Sequence, residues 1–459
     1  MNNTICAIST APGVGGIAVI RVSGPDAISF CSSIFRSKRS LKEFESHTVH
    51  YGTVIAADGT DIDDCVVTIF KAPHSFTGED TVEIACHGSQ YIQQSILKTL
   101  IKVGCSMALP GEFTQRAFLS GKMDLTRAEA VADLIASTSA AAHKVALNQM
   151  RGGIVDELDG LREKLLNFTS LLELELDFSE EDVEFASRSQ MIELITVIKN
   201  TLINLINSFD AGNAIKNGVG VAIVGETNAG KSTLLNNILG EEKAIVSDIH
   251  GTTRDTIEDT TIIDGHLIRF IDTAGIRETS DKIENIGIKR SYSTIEKANV
   301  ILWIIDCTGL NEHIDWMAGK IVPRCEGKSL ILVFNKTDLL AEDELPIMEN
   351  LFTGIDAPHI CISAKRGDGI DALKKQIIKS AHLDLPQGSV VITNMRHYEA
   401  LCTALSAIER VESGLQSALS GELVSIDLHE CLDALGSITG KIYSQDVLNN
   451  IFSHFCIGK

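Results

Sequence analysis

No proline occurs in Gly111–Val322 of this 459-residue chain, although four lie between residues 12 and 110 and four between 323 and 386. That gap excludes proline-broken loops from the middle of the protein and leaves room for uninterrupted helices and central strands. Long hydrophobic runs are missing too. A stretch such as Val300–Asp306 has the length of a strand, far short of a membrane span. The N-terminal MNNTICAIST has neither a basic segment nor an apolar core, so no secretory signal is read there. Eleven cysteines include no C-x-x-C and no paired histidine spacing, which argues against a disulfide framework or zinc site and for reduced thiols in the cytoplasm. The terminal Cys456-Ile457-Gly458-Lys459 mimics a prenylation box, but Lys is the wrong final residue. Positive charge is scarce. With a net charge of −21, the chain should hold a polyanion such as tRNA weakly unless one face is locally basic or a partner supplies the charge.

What is present divides the chain into regions. Residues 1–119 carry short β-rich runs, Ile17–Val22, Val66–Phe70 and Thr81–Ala85, separated by Gly, Pro and Asp turns, and read as α+β. Residues 124–212 show apolar residues at helical spacing, among them Leu158, Leu161, Leu165 and Leu172. From Val219, the runs VGVAIVG, LIRFIDTAG, ANVILWIID and SLILVFNKTD alternate with helical stretches, which implies a parallel sheet covered on both faces. Helical patterning returns after Pro386, over Tyr398–Leu419 and His429–Leu435. The predicted fold is an α/β P-loop domain with a mainly parallel sheet, inserted into an all-α helical domain and preceded by an α+β N-terminal domain. The boundaries read as 1–119, 120–217, 218–382 and 383–459. The acidic stretch from Glu173 to Glu184 fits a solvated bend, with Ser179 capping the next helix, better than a metal site.

The strongest motif is Gly225-Glu-Thr-Asn-Ala-Gly230-Lys231-Ser232, placed directly after the apolar strand VAIV. Glycines let backbone N–H groups turn inward around phosphates, with Asn228, Ala229, Gly230 and Thr233 lining the loop. Lys231 reaches the β- and γ-phosphates, and the Ser232 hydroxyl ligates Mg²⁺. Three further motifs follow in order. Asp272-Thr273-Ala274-Gly275 offers a carboxylate to the Mg²⁺ shell and a glycine N–H to the γ-phosphate. Asn335-Lys336-Thr337-Asp338 places a carboxylate where it accepts both guanine N1–H and N2–H₂, donors that adenine lacks. Ser363-Ala364-Lys365 supplies a backbone N–H to guanine O6. All four in sequence make this a GTP-binding domain.

Between the first two motifs lies Ser247-Asp248-Ile249-His250-Gly251-Thr252-Thr253-Arg254-Asp255. It resembles switch I of the Era/TrmE branch of GTPases, in which the second threonine, here Thr253, completes the Mg²⁺ shell. In Ras-like proteins a glutamine after the Asp-x-x-Gly motif orients the attacking water. Ile276 stands at that position here and cannot, so either another group orients the water and neutralises the transition state or the protein hydrolyses GTP very slowly.

Along its whole length the chain resembles the tRNA-modification GTPase family called MnmE or TrmE. Beyond the GTPase motifs the likeness rests on PGVGGIAVIRVSG, HSFTGEDTVEIACHG, PGEFTQRAFLSGKMDLTRAEAVADLI and the terminal FCIGK. The resemblance implies that Asn228, Ser247, Ile249 and Thr252 bind K⁺ in place of an arginine finger. It implies that Glu284 orients the catalytic water, although by itself Glu284 reads as a solvated helix-start carboxylate. It implies an N-terminal folate-binding domain in which Arg21, Glu83, Lys122 and Lys459 line a site for 5-formyltetrahydrofolate. Cationic side chains suit the glutamate tail and a carboxylate suits the pterin edge. Read alone, Arg21 closes a strand as a surface charge. Cys456 is a catalytic nucleophile on one reading and a small apolar residue on the other. The implied activity is GTP-driven installation of a carboxymethylaminomethyl group at C5 of the wobble uridine, position 34, of certain tRNAs. The implied assembly is a homodimer acting with GidA (MnmG), an FAD-dependent partner, with no membrane association. Two alternatives stand beside this: an Era-like ribosome-assembly switch without modification chemistry, and a folate-sensing module.

Overall fold

The computed structural model describes residues 3–177, 188–240, 258–271, 294–309, 312–341, 344, 351–352, 354–383, 390–417, 419–453, 455 and 458. Tertiary contacts divide the chain into two compact units. One is Met1–Ala132 with Gln149–Phe185 and Leu419–Lys459, and the other is Asp133–Asn148 with Ala186–Ala418.

In the first unit, seven strands form one sheet: β1 (Ile5–Ile8), β2 (Gly15–Ser23), β3 (Phe35–Arg36), β4 (Thr48–Ile55), β5 (Asp61–Phe70), β6 (Thr81–Gly88) and β7 (Ser106–Met107). Their order is β3-β4-β5-β6-β2-β1-β7, antiparallel except for the β1–β7 pair. Alternation decides which side chains enter the core. Val82, Ile84 and Cys86 of β6 are buried with Ile20 and Val22 of β2 in one cluster, joined by Ile28 and Cys31 of helix Ala27–Ile34 and by Ile96 and Leu100 of helix Gln90–Lys102. The intervening residues Arg21 and Glu83 are direct cross-strand partners. The three predicted strand runs are present and longer than read. Strand β4 was not foreseen because Gly52 takes one of its core positions. A Cβ there would lie 2.6 Å from the Phe35 ring, so glycine is required, and glycine inside a strand reads as a break.

Helix Gly153–Asp177 buries Leu158, Leu161, Leu165 and Leu172 and packs against helix Gly421–Thr439. In the second unit, helix Arg188–Asn207 packs in the same way against helix Met395–Gln416. Helical segments that precede and follow the α/β domain in the chain therefore pair with each other, so that domain is inserted into a helical one.

The second unit's sheet has six strands: β8 (Val219–Gly225), β9 (Asp259–Ile263), β10 (His266–Phe270), β11 (Val300–Asp306), β12 (Ser329–Asn335) and β13 (His359–Cys361). The order is β13-β12-β11-β8-β10-β9, all parallel except the β9–β10 hairpin. Strands β8, β11 and β12 are buried along almost their whole length, since both sheet faces are covered. Leu234, Leu235, Leu373 and Ile377 belong to one core cluster, and Ile295, Ile321 and Phe352 to another. Strand β8 lies between β10 and β11: the chain leaves it toward the β9–β10 side, and the next connection, from β10 to β11, crosses to its other side. The loop at its carboxyl end sits at this switch point, where open α/β sheets bind ligands.

Among the described residues, no helix is long and apolar enough to cross a membrane, and no group of three His, Cys, Asp or Glu residues is arranged to hold a metal ion.

Candidate functional site

The loop after β8 turns into helix Lys231–Gly240 through three left-handed residues, Gly225 (φ 151°), Asn228 (φ 65°) and Gly230 (φ 98°). Space as well as φ demands the two glycines. A Cβ on Gly225 would lie 2.4 Å from the Ile304 carbonyl oxygen, and one on Gly230 2.2 Å from Asn335 Nδ2. Asparagine tolerates the left-handed region better than most residues. Lys231 folds back into the loop, its Nζ donating to the carbonyls of Gly225 (2.8 Å) and Glu226 (2.6 Å). Burial lowers its pKa, opposed by the nearby Glu226 carboxylate. The helix begins at this residue, so its first N–H groups and the ammonium gather at the carboxyl end of β8, an arrangement able to bind an anion. Ser232 is half-buried, Asn228 and Thr233 are exposed, and Ala229 is buried.

The Asn335–Asp338 and Ser363–Lys365 motifs converge on this loop from the ends of neighbouring strands. Asn335 is buried; its Nδ2 donates to the Ala229 carbonyl at 2.7 Å, and its Oδ1 accepts the Ala364 N–H at 2.9 Å. Asn237, on the helix after the loop, donates to the Ala364 carbonyl. One asparagine from each side thus clips the Ser363-Ala364-Lys365 turn to the phosphate loop. Lys336 is left-handed (φ 67°) and forms an ion pair with Asp306, the register partner of Asn335 on β11. Burial works to raise the Asp306 pKa, but hydrogen bonds from Lys336 and Thr308 outweigh it and hold the carboxyl below its ordinary value. Thr337 donates from Oγ1 to the Ile362 carbonyl at 2.9 Å, and Asp338 faces Arg366. Asn237, Asp306 and Arg366 were not picked out by sequence reasoning. Arg366 follows Ser-Ala-Lys directly, and that adjacency is the one signal that could have found it.

Other predicted residues lie outside the described ones: Ser247, Asp248, Ile249, His250, Gly251, Thr252 and Thr253 of switch I, Asp272, Thr273, Ala274 and Gly275, then Ile276, Glu284, Cys456 and Lys459. The same holds for Ser179.

In the first unit, Arg21 donates to Glu83 Oε1 from both Nε (3.0 Å) and Nη2 (2.8 Å). The guanidinium carbon lies 5.4 Å from the ring centre of Phe76 and 5.7 Å from that of Phe113, within cation–π range. Arg21 is thus a paired, mostly covered residue in mid-strand rather than a surface charge at a strand's end, because the β2–β6 register puts Glu83 directly opposite. Lys122 donates from Nζ to the Pro73 carbonyl at 2.9 Å, on the same loop that carries Phe76. That loop is held by Arg116, which is 2% exposed and pairs with Glu79 (3.1 Å) and Glu112 (2.8 Å). The chain's end meets the same sheet. Ser9 Oγ donates to the Gly458 carbonyl at 2.9 Å, just past the Ile8 end of β1, the strand that pairs with Arg21's own. Arg21, Glu83 and Lys122 therefore border one region of this unit, with Gly458 reaching the neighbouring strand.

A family model described as the GTP-binding protein TrmE N-terminus matches residues 4–122, and one described as the MnmE helical domain matches residues 125–456. Proteins named tRNA modification GTPase MnmE are similar over the full length. The one from Bacteroides thetaiotaomicron is 55% identical, covering 100% of this chain and 99% of its own length. That of Flavobacterium johnsoniae is 48% identical with the same coverage. Among solved structures, Aquifex aeolicus Era is 30% identical over 41% of this chain and 66% of its own, with a TM-score of 0.29. Full-length identity of this degree, together with both family models, means that the chain belongs to the MnmE (TrmE) family of tRNA modification GTPases.

Proposed function

We propose that this chain hydrolyses GTP and, with an FAD-dependent partner of the GidA kind, installs a carboxymethylaminomethyl group at C5 of the wobble uridine of certain tRNAs. The observation that carries the reading is Asn335, which fastens the guanine-side loops to the phosphate loop at the sheet's switch point. Base and phosphate recognition then share one rigid frame. Asp338 selects guanine, a backbone N–H of the Ser363-Ala364-Lys365 turn serves O6, and Lys231 with the helix N-terminus holds the phosphates.

The donor set suits the implied ions. The Lys231 ammonium inside the loop marks where phosphate charge belongs. Ser232 and Thr253 would hold Mg²⁺, supported by Asp272, and the ion would neutralise phosphate charge. Asn228 with Ser247, Ile249 and Thr252 would hold K⁺, the charge a missing arginine finger leaves wanting. The remaining requirement is a group that orients water, and Glu284 takes it. In the first unit, the Arg21–Glu83 pair, with the Phe76 ring near its guanidinium, suits a flat heterocycle with hydrogen-bonding edges. Arg21, Glu83, Lys122 and Lys459 would hold 5-formyltetrahydrofolate, a one-carbon donor, with Cys456 beside them.

The layout 1–119, 120–217, 218–382 and 383–459 is that of an N-terminal dimerisation domain and a GTPase domain set within a helical one. A cytoplasmic homodimer that leaves most tRNA contact to a more basic partner fits the net charge of −21. Identity that extends through the N-terminal and helical regions favours modification over an Era-like switch. Nucleoside analysis of tRNA from a strain lacking the gene tests the reading. Loss of the C5 group at position 34 is expected, and its persistence would refute the proposal.

A further inference from the structure

The guanine-recognising carboxylate has a neighbour that GTP recognition does not require. Arg366 Nε lies 3.4 Å from Asp338 Oδ2, and Arg366 is the only ion-pair partner of Asp338 among the described residues. Asp338 is almost covered, with its side chain 8% exposed, whereas Arg366 is 62% exposed. Both sit on fixed backbone. The Arg366 N–H donates to Ser363 Oγ at 3.2 Å, and Ser363 bridges to Asp368 across the turn. Thr337, next to Asp338, is tied by both its N–H and its hydroxyl to the Ile362 carbonyl, at the start of that turn. The backbone that carries both residues is therefore held, which keeps the guanidinium within reach of the carboxylate.

Guanine needs both oxygens of this carboxylate, one for N1–H and one for the N2 amino group. We infer that Arg366 sets guanine affinity by drawing on Asp338 Oδ2, so that the base must compete with a resident cation for one of its two acceptors. This rests on the GTP reading above and adds a residue to it. Competition at an exposed ion pair is modest in size and screened by salt. It falls on guanine and spares hypoxanthine, which has no 2-amino group, needs one oxygen, and leaves the other to Arg366. A general effect of positive charge on the diphosphate would act on both nucleotides alike.

The test is calorimetric titration of the full-length protein, wild type, R366Q and R366K, with GDP and with inosine diphosphate. The expected result is that R366Q raises the GDP-over-IDP preference about two- to five-fold at low salt, the range of an exposed ion pair. In about 1 M NaCl the gain should vanish, and R366K should stay near wild type. An unchanged or lower preference in R366Q would overturn the inference while leaving the GTP site intact. Failure of the wild type to bind GDP at all would instead remove the reading on which it rests.

Discussion

Asn335 donates from Nδ2 to the Ala229 carbonyl at 2.7 Å, joining residues that stand 106 positions apart in the chain. Its side chain is 2% exposed and its Oδ1 is also occupied, so both loops depend on one amide. Asn335→Ala leaves the Ala229 carbonyl and the Ala364 N–H without this partner. A loss of about 2–6 kcal/mol in stability follows from two buried groups at ~1–3 kcal/mol each, together with weaker GDP binding. Denaturant unfolding beside GDP titration checks both. Wild-type values in each would show that the clip is dispensable.

Asp338→Asn exchanges an acceptor for a group that presents donors to guanine's own donors. GTP affinity should fall by about 10² or more, as expected when two charge-assisted hydrogen bonds of ~1.5–3 kcal/mol are lost. Xanthosine triphosphate, whose C2 oxygen accepts where guanine donates, should become the preferred ligand. Competition binding with the two nucleotides decides the matter, and retained GTP preference would remove Asp338 from the base site.

Turnover should also distinguish alkali cations. If a K⁺ ion held by Asn228 and its switch I partners stands in for an arginine finger, GTP hydrolysis runs fast in K⁺ and slowly in Na⁺ at equal ionic strength. The smaller ion asks the loop carbonyls to close further. Equal rates in the two salts, or an Asn228→Ala protein still stimulated by K⁺, would exclude this arrangement.

Glu284, outside the described residues, is assigned the water that Ile276 cannot orient. An interaction made only in the transition state lowers kcat and leaves nucleotide affinity alone. Glu284→Ala should bind a non-hydrolysable GTP analogue normally and hydrolyse GTP about 10²-fold more slowly or worse. Glu284→Gln should recover part of the rate if hydrogen-bonded orientation is the contribution, and none if proton abstraction is. Single-turnover rates separate these cases, and an alanine variant at full rate would return Glu284 to the solvent.

Glu83 offers a test in the other unit. Arg21 occupies Oε1 alone, which leaves Oε2 for a ligand edge. Glu83→Gln should weaken 5-formyltetrahydrofolate binding about ten-fold or more, the loss of one charge-assisted bond at ~1.5 kcal/mol or above. Stability should change by less than about 1 kcal/mol, because both side chains keep some contact with water. Titration with the folate and a melting curve report the two separately. Unchanged folate binding would leave Arg21 and Glu83 as a cross-strand pair only.

The parts legible in the sequence are those whose physics is local. The phosphate loop needs a strand, left-handed residues and a helix start within a dozen positions, so Gly225, Gly230 and Lys231 could be read from spacing. Strands β8, β11 and β12 are continuous apolar runs because both faces of a parallel sheet are covered, and helix Gly153–Asp177 declares its buried leucines by their period. None of these depends on where a distant segment lands. Tertiary structure decided the rest. Whether Arg21 meets Glu83 depends on the register of β2 against β6, and a one-residue slip of either strand would leave the two on opposite faces. Arg366 reaches Asp338 only because β12 and β13 lie side by side, and Ser9 meets Gly458 across 449 positions. Such contacts follow from the closure of long loops, whose cost grows so slowly with length that no nearby residue announces them.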